Sequence, residues 1–214
     1  MQYLRDGEFA ALITAIHRTT QRDLPVILVG AGLPQLPGLA GEAKSYAERL
    51  FEFPFIGSLE SGDARSAITI PARSQGVRLT KQAVQRIVDS AQGYPYFLQE
   101  WGYHVWNAAE SSPIKEIVVE EVTEGVLRQL DENFFLVRFD RLTPAEKKYL
   151  HAMAELGPGP HRSGDIAATL GVRVESVAPR RSTLIGKGII YSPSHGDTAF
   201  TVPLFDEYLI RAMS

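Results

Sequence analysis

Apolar residues recur along most of this chain at the spacing of one helix face, and only once do they run without interruption. Between residues 8 and 20, Phe9, Leu12, Ile13 and Ile16 predict an amphipathic helix. The uninterrupted run comes next: Val26, Ile27, Leu28 and Val29, between Pro25 and the group Gly30, Gly32 and Pro34. A short run without polar alternation predicts a strand buried on both faces, as in a parallel sheet of an α/β unit. Helix formers fill 39–51, and Phe51, Phe53, Phe55 and Ile56 predict a short edge strand limited by Pro54. From 57 to 140 the pattern is almost wholly helical, with helices predicted over 63–74, 81–92, 94–109 and 118–135. Thr80 is placed to cap the second of these, Gly93 to stop it, and Pro95 to open the third.

A second helical set begins at Thr143-Pro144-Ala145-Glu146, a cap, a first-turn proline and a capping-box glutamate. Helices are predicted to about 156, over 166–170 and over 174–186, with Gly171 between the last two. Strands at 189–191 and 199–202 flank the turn Ser194-His195-Gly196-Asp197, and a helix over 204–213 closes the chain. The reading is a mainly α protein with a small β component and three parts. Residues 1–58 are a partial α/β core, 59–140 a helical domain, and 141–214 a domain of three helices and a hairpin in winged helix-turn-helix order.

Composition changes this picture little. The chain has 214 residues, 44% hydrophobic and 22% charged, with a formal net charge of −3. Any affinity for nucleic acid must therefore be local. The local candidate is the third helix of the C-terminal domain and its flanks, where Arg173, Arg180, Arg181 and Lys187 face only Glu175. A helix in this position enters the DNA major groove in helix-turn-helix proteins. The same charges also suit a solvated surface helix, and winged helices also dock proteins. Double-stranded DNA and a protein partner both stay open. There is no cysteine, no apolar run of membrane-spanning length and no signal-peptide pattern at the N-terminus. A cytoplasmic protein without a membrane partner is expected.

The chemistry excluded is as informative. No G-x-x-x-x-G-K-[ST] occurs, since the only Gly-Lys, at Gly186-Lys187, is followed by Gly188. No apolar strand ends in paired acids for magnesium. The histidines form no short metal-ligand pair, and no G-x-S-x-G elbow is present. No catalytic residue and no metal ligand is assigned. Gly30-Ala31-Gly32 lacks the third glycine of a dinucleotide fingerprint, because position 35 is Gln35.

The order of PVILVGAG, ERLFEFPFIG, GYPYFLQ and LTPAEKKYL, followed by the winged-helix pattern, resembles the back half of a bacterial or archaeal P-loop ATPase. It is similar to the signal-transduction ATPases with numerous domains (STAND) and to the origin-recognition-type AAA+ initiators. The resemblance implies that Walker B acids would lie just before Gln2-Tyr3-Leu4 and that 26–32 is the sensor-1 strand and its end. Gly30, Ala31 and Gly32 supply no polar side chain for a γ-phosphate there. It further implies Arg49 as an arginine reaching phosphate, and Gly93-Tyr94-Pro95 as the glycine-x-proline corner of a lid that packs on adenine. From the residues alone, Arg49 also suits a surface ion pair, and Gly93 and Pro95 also suit a plain helix stop and start. The implied protein is a nucleotide-switched regulatory ATPase using ATP or ADP with magnesium, of which this chain is the lid and winged-helix part, without ATP turnover of its own. The other reading is a non-catalytic interaction module. If 26–29 lacks its neighbouring strands, it is expected to pair with 52–55 or with a second copy of the chain.

Overall fold

The computed structural model describes residues 4–34 and 36–213, arranged as two compact units, 1–56 and 57–214. Gln2, Tyr3 and Gln35 lie outside the described residues.

In the first unit, helix α1 (Asp6–Gln21) buries Phe9 and Ile13 against Ala40 of α2 (Leu36–Ala43) and Ala47 of α3 (Ala47–Leu50). The helix expected over 39–51 is thus two short helices, broken by a turn at Ser45 and Tyr46. The strands expected over 26–29 and 51–56 do not form: both stretches lack regular secondary structure, and among the described residues neither joins a sheet. Ile27 and Val29 are 88% and 89% exposed. The physical reason is that a strand is defined by its partners. Without a neighbouring strand, an apolar β-branched run has no ladder to join, and here the Val26 N–H turns to the Leu24 carbonyl instead, at 2.8 Å.

The second unit opens with four helices: α4 (Ser61–Ser74), α5 (Lys81–Ala91), α6 (Pro95–Ala108) and α7 (Glu116–Leu130). As predicted, the Thr80 hydroxyl caps α5, accepting from the Ala83 N–H at 3.2 Å. Leu79 and Ile114 form a parallel bridge that ties the α4–α5 hairpin to the start of α7. A π-helical turn, Asp131–Phe135, then carries the chain into α8 (Leu136–Phe139). Next come α9 (Pro144–Glu155), β1 (His161–Arg162), α10 (Ser163–Thr169), α11 (Ala178–Gly186), β2 (Ile190–Tyr191), β3 (Asp197–Phe200) and α12 (Phe205–Met213).

The small sheet is antiparallel with order β1-β3-β2, and His161 sits opposite Thr198 and Ile190 opposite Phe200. β1 is two residues long, too short to leave a periodicity in sequence. The helix expected over 174–186 begins instead as a 3₁₀ turn at 174–176, and Pro179 falls in the first turn of α11. There its missing N–H costs nothing, so Pro179 starts the helix and does not interrupt it. One continuous core runs from Ala64 to Leu209. Phe135 is its junction, fully buried, with ring centroids 5.8 Å from Phe97, 5.7 Å from Phe205 and 5.3 Å from Tyr208.

Candidate functional site

The corner Gly93-Tyr94-Pro95 is built by the end of one helix and the start of another. Gln92 and Gly93 both have left-handed backbones, φ +48° and +67°, which ends α5. The Gly93 N–H donates to the Val88 carbonyl at 3.3 Å, and the Tyr94 N–H to that of Ala91 at 2.9 Å. The Leu59 N–H donates to the Gly93 carbonyl at 2.9 Å, and a Cβ on Gly93 would stand 2.6 Å from the Leu59 carbonyl oxygen. Glycine is therefore required here twice, by backbone conformation and by close approach. Pro95 opens α6.

An aromatic surface adjoins this corner. The half-buried Tyr94 ring lies 4.7 Å from Phe97 and 6.3 Å from Phe134. Tyr96, exposed, stacks on Phe134 at 5.1 Å with a 17° interplanar angle. The Arg138 guanidinium sits 3.7 Å over the Phe134 ring and donates to the Phe134 carbonyl at 2.7 Å. Burial lowers the Arg138 pKa and raises that of the Tyr96 phenol, the latter helped by Glu100. The site thus combines flat π-faces with a cation. Tyr96, Phe134 and Arg138 are not among the residues that the sequence singles out. Phe134 and Arg138 are 40 or more positions from Gly93, and no local pattern links them. Arg49 is exposed on α3 of the first unit, and among the described residues it forms no ion pair, so the surface pair open to it, with Glu52 or neighbours of Glu48, is not made.

The C-terminal basic residues divide by what they touch. Arg181 is committed internally: its Nε donates to Thr198 Oγ1, and one terminal nitrogen to Ser192 Oγ and the Asp197 carbonyl, each at 2.8 Å. It pins α11 to the β3 hairpin, and Thr198 is fully buried. Lys187 donates to Glu146 Oε2 at 2.8 Å and to the Arg141 carbonyl at 3.1 Å. Burial would raise the Glu146 pKa. Hydrogen bonds from Lys187 and from the Thr143 N–H outweigh it and hold the carboxyl below its usual range. Arg173 pairs with Glu175 at 3.4 Å in full solvent. Of the four, Arg180 alone has no ion pair or side-chain hydrogen bond among the described residues. Among those residues no three His, Asp or Glu gather as a metal site, and no helix is long and apolar enough to cross a membrane.

A family profile described as "Domain of unknown function (DUF8462)" matches residues 132–209. No curated protein sequence matches the chain. Among solved structures, the chain is similar to the RuvB Holliday junction branch migration motor of Thermotoga maritima at a TM-score of 0.48 and 20% identity, over 93% of this chain. An arginine-to-alanine variant of the same RuvB gives 0.48 and 18%, over 97% of this chain and 75% of that one. The chain spans 63% of the length of the branch migration motor.

Proposed function

We propose that this chain is the lid and winged-helix part of a nucleotide-switched regulatory ATPase of the AAA+ or STAND kind, non-catalytic by itself. The observation that carries the reading is the Gly93 corner beside the surface of Tyr94, Tyr96 and Phe134 under Arg138. A planar adenine stacks on such faces, and the guanidinium suits a phosphate oxygen. ATP or ADP with magnesium belongs to the parent protein, whose phosphate loop would supply most of the affinity. For the 214-residue chain the expected result is weak adenine-nucleotide binding and no ATP turnover. Photolabelling with 8-azido-ADP should mark the peptide around Tyr94 and fall at least severalfold in Tyr94→Ala and Arg138→Ala. Labelling confined to other segments, or turnover near 1 per second, would defeat the reading.

The three-helix and hairpin module, 141–214, is read as the winged helix, with double-stranded DNA as its first candidate partner. Arg180 is then the phosphate contact and Arg181 the brace. Arg180→Ala should weaken duplex DNA binding and reduce the salt slope by about one counterion, with stability changed by less than about 0.5 kcal/mol. Arg181→Ala leaves buried Thr198 without its partner and should cost about 1–3 kcal/mol of stability. The second reading, a winged helix that docks a protein, is favoured by the internal commitment of Arg181 and Lys187. It gains if wild type and Arg180→Ala bind DNA equally at low salt.

Copies of the chain are also read as self-associating. Val26, Ile27 and Val29 lie outside any sheet and expose apolar side chains, which favours strand pairing between copies. Light scattering should show a dimer or larger species that Ile27→Lys reduces. A strict monomer at high concentration contradicts this.

A further inference from the structure

A second basic surface lies outside the C-terminal helix. Residues 64–88 contain Arg65, Arg73, Arg78, Lys81 and Arg86 and no acid, within a chain of net charge −3. All five are exposed, and among the described residues none is in an ion pair. Arg65 directs its charge into a hydrogen bond to Gln85. Arg73, Arg78 and Lys81 cluster by topology at the turn of the α4–α5 hairpin. Lys115 joins them there, because the Ile114 N–H donates to the Arg78 carbonyl at 2.8 Å and the Ile114 carbonyl accepts from the Thr80 N–H. The nearest acids in sequence at that end are Glu110 and Glu116.

That same end opens into an apolar groove of about 460 Å³ between α4 and α6. Its lining includes Ile68, Pro71, Leu79, Gly102, Tyr103 and Trp106. Tyr103 and Trp106 are 64% and 44% exposed, although both are large aromatics. Gly102 keeps the groove open from the α6 side, since a Cβ there would meet only Ile68 Cδ1, at 3.5 Å. Ala72, Leu79 and Ile114 line the groove, and each is next in sequence to one of the cations Arg73, Arg78 and Lys115.

We propose that this groove docks an acidic, amphipathic peptide segment of a partner protein. Its apolar side chains fill the space beside Tyr103 and Trp106, and its carboxylates meet Arg73, Arg78 and Lys115. Helix-in-groove recognition uses this pairing of apolar anchors with a complementary charged rim. Aromatics at the centre of such a surface carry most of the binding energy. A nucleic acid would use the cations and leave the apolar groove idle, so the groove favours the peptide. The groove borders the nucleotide corner, since Leu59 and Pro95 are part of its lining, but Tyr96, Phe134, Arg138 and the winged helix are not.

The test is fluorescence anisotropy on the full chain at low salt. The probe is a fluorescein-labelled peptide of about 15 residues with Leu and Phe at the i, i+3, i+4 spacing of groove-binding helices and Asp and Glu between them. A scrambled peptide of equal charge, a Lys-substituted version and a labelled DNA duplex are the comparisons. The amphipathic acidic peptide should bind best. Gly102→Leu, which plugs the groove, and Arg73→Glu with Arg78→Glu, which inverts the rim, should each weaken it about tenfold or more. Gly102→Ala controls for folding, because alanine favours a helix interior over glycine. Equal binding of the scrambled peptide, or binding that survives both Gly102→Leu and Tyr103→Ala, overturns the proposal. Duplex DNA binding that outcompetes the peptide and ignores Gly102→Leu overturns it in favour of a polyanion surface.

Discussion

Phe135→Ala should remove about 3–5 kcal/mol from the second unit, the range for deleting a buried phenylalanine, and lower its melting temperature by roughly 6–20 °C. The size follows from position. Phe135 is fully buried and touches the rings of Phe97 from the helical block and of Phe205 and Tyr208 from the last helix. Deleting it opens a cavity shared by both groups of helices. The loss should therefore appear as a shift of one cooperative transition in calorimetry. If wild type melts in two steps and the variant moves only one, residues 57–130 and 140–213 are energetically separate and Phe135 couples nothing.

Gly93→Val should be the most damaging single change at the candidate site, costing at least about 2 kcal/mol. A β-branched residue at φ +67° is strained, and its Cβ meets the Leu59 carbonyl at 2.6 Å. Relief requires moving Leu59 and breaking its hydrogen bond to Gly93. Gly76 supplies the internal control: its φ is +74°, but nothing lies within 4 Å of an added Cβ. Gly76→Ala therefore measures the backbone penalty alone, and the excess in Gly93→Ala measures the close approach. Equal losses in chemical denaturation would mean that Leu59 gives way freely. Nucleotide labelling should fall with Gly93→Val, because the corner that frames Tyr94 is displaced.

The helices of the second unit are legible in the sequence because each carries local signals: Thr80 and Thr143 as caps, Pro95 and Pro144 as starts, and apolar residues at helical spacing. The stretch 26–29 misleads for the opposite reason. Its residues describe a strand well, but pairing is a property of the neighbours, and none lies among the described residues. The Gly93 corner is visible as three residues. Its aromatic surface is not, since Phe134 and Arg138 reach it only through tertiary packing. The roles of Arg181 and Lys187 are likewise hidden, because a sequence shows a charge and not its partner.

The π-helical turn at Asp131–Phe135 has a mechanical consequence. Such a turn inserts one extra residue, which rotates the helix face that follows by about 100°. Two adjacent phenylalanines at its end both touch Phe97 and each other, and otherwise have different neighbours. Phe134 carries Tyr96 and Arg138 on the outside, and Phe135 locks the inside. One peptide plane separates them. A force that displaces the outer ring reaches the inner one without passing through any other side chain, so this turn is a lever whose two arms are neighbouring residues.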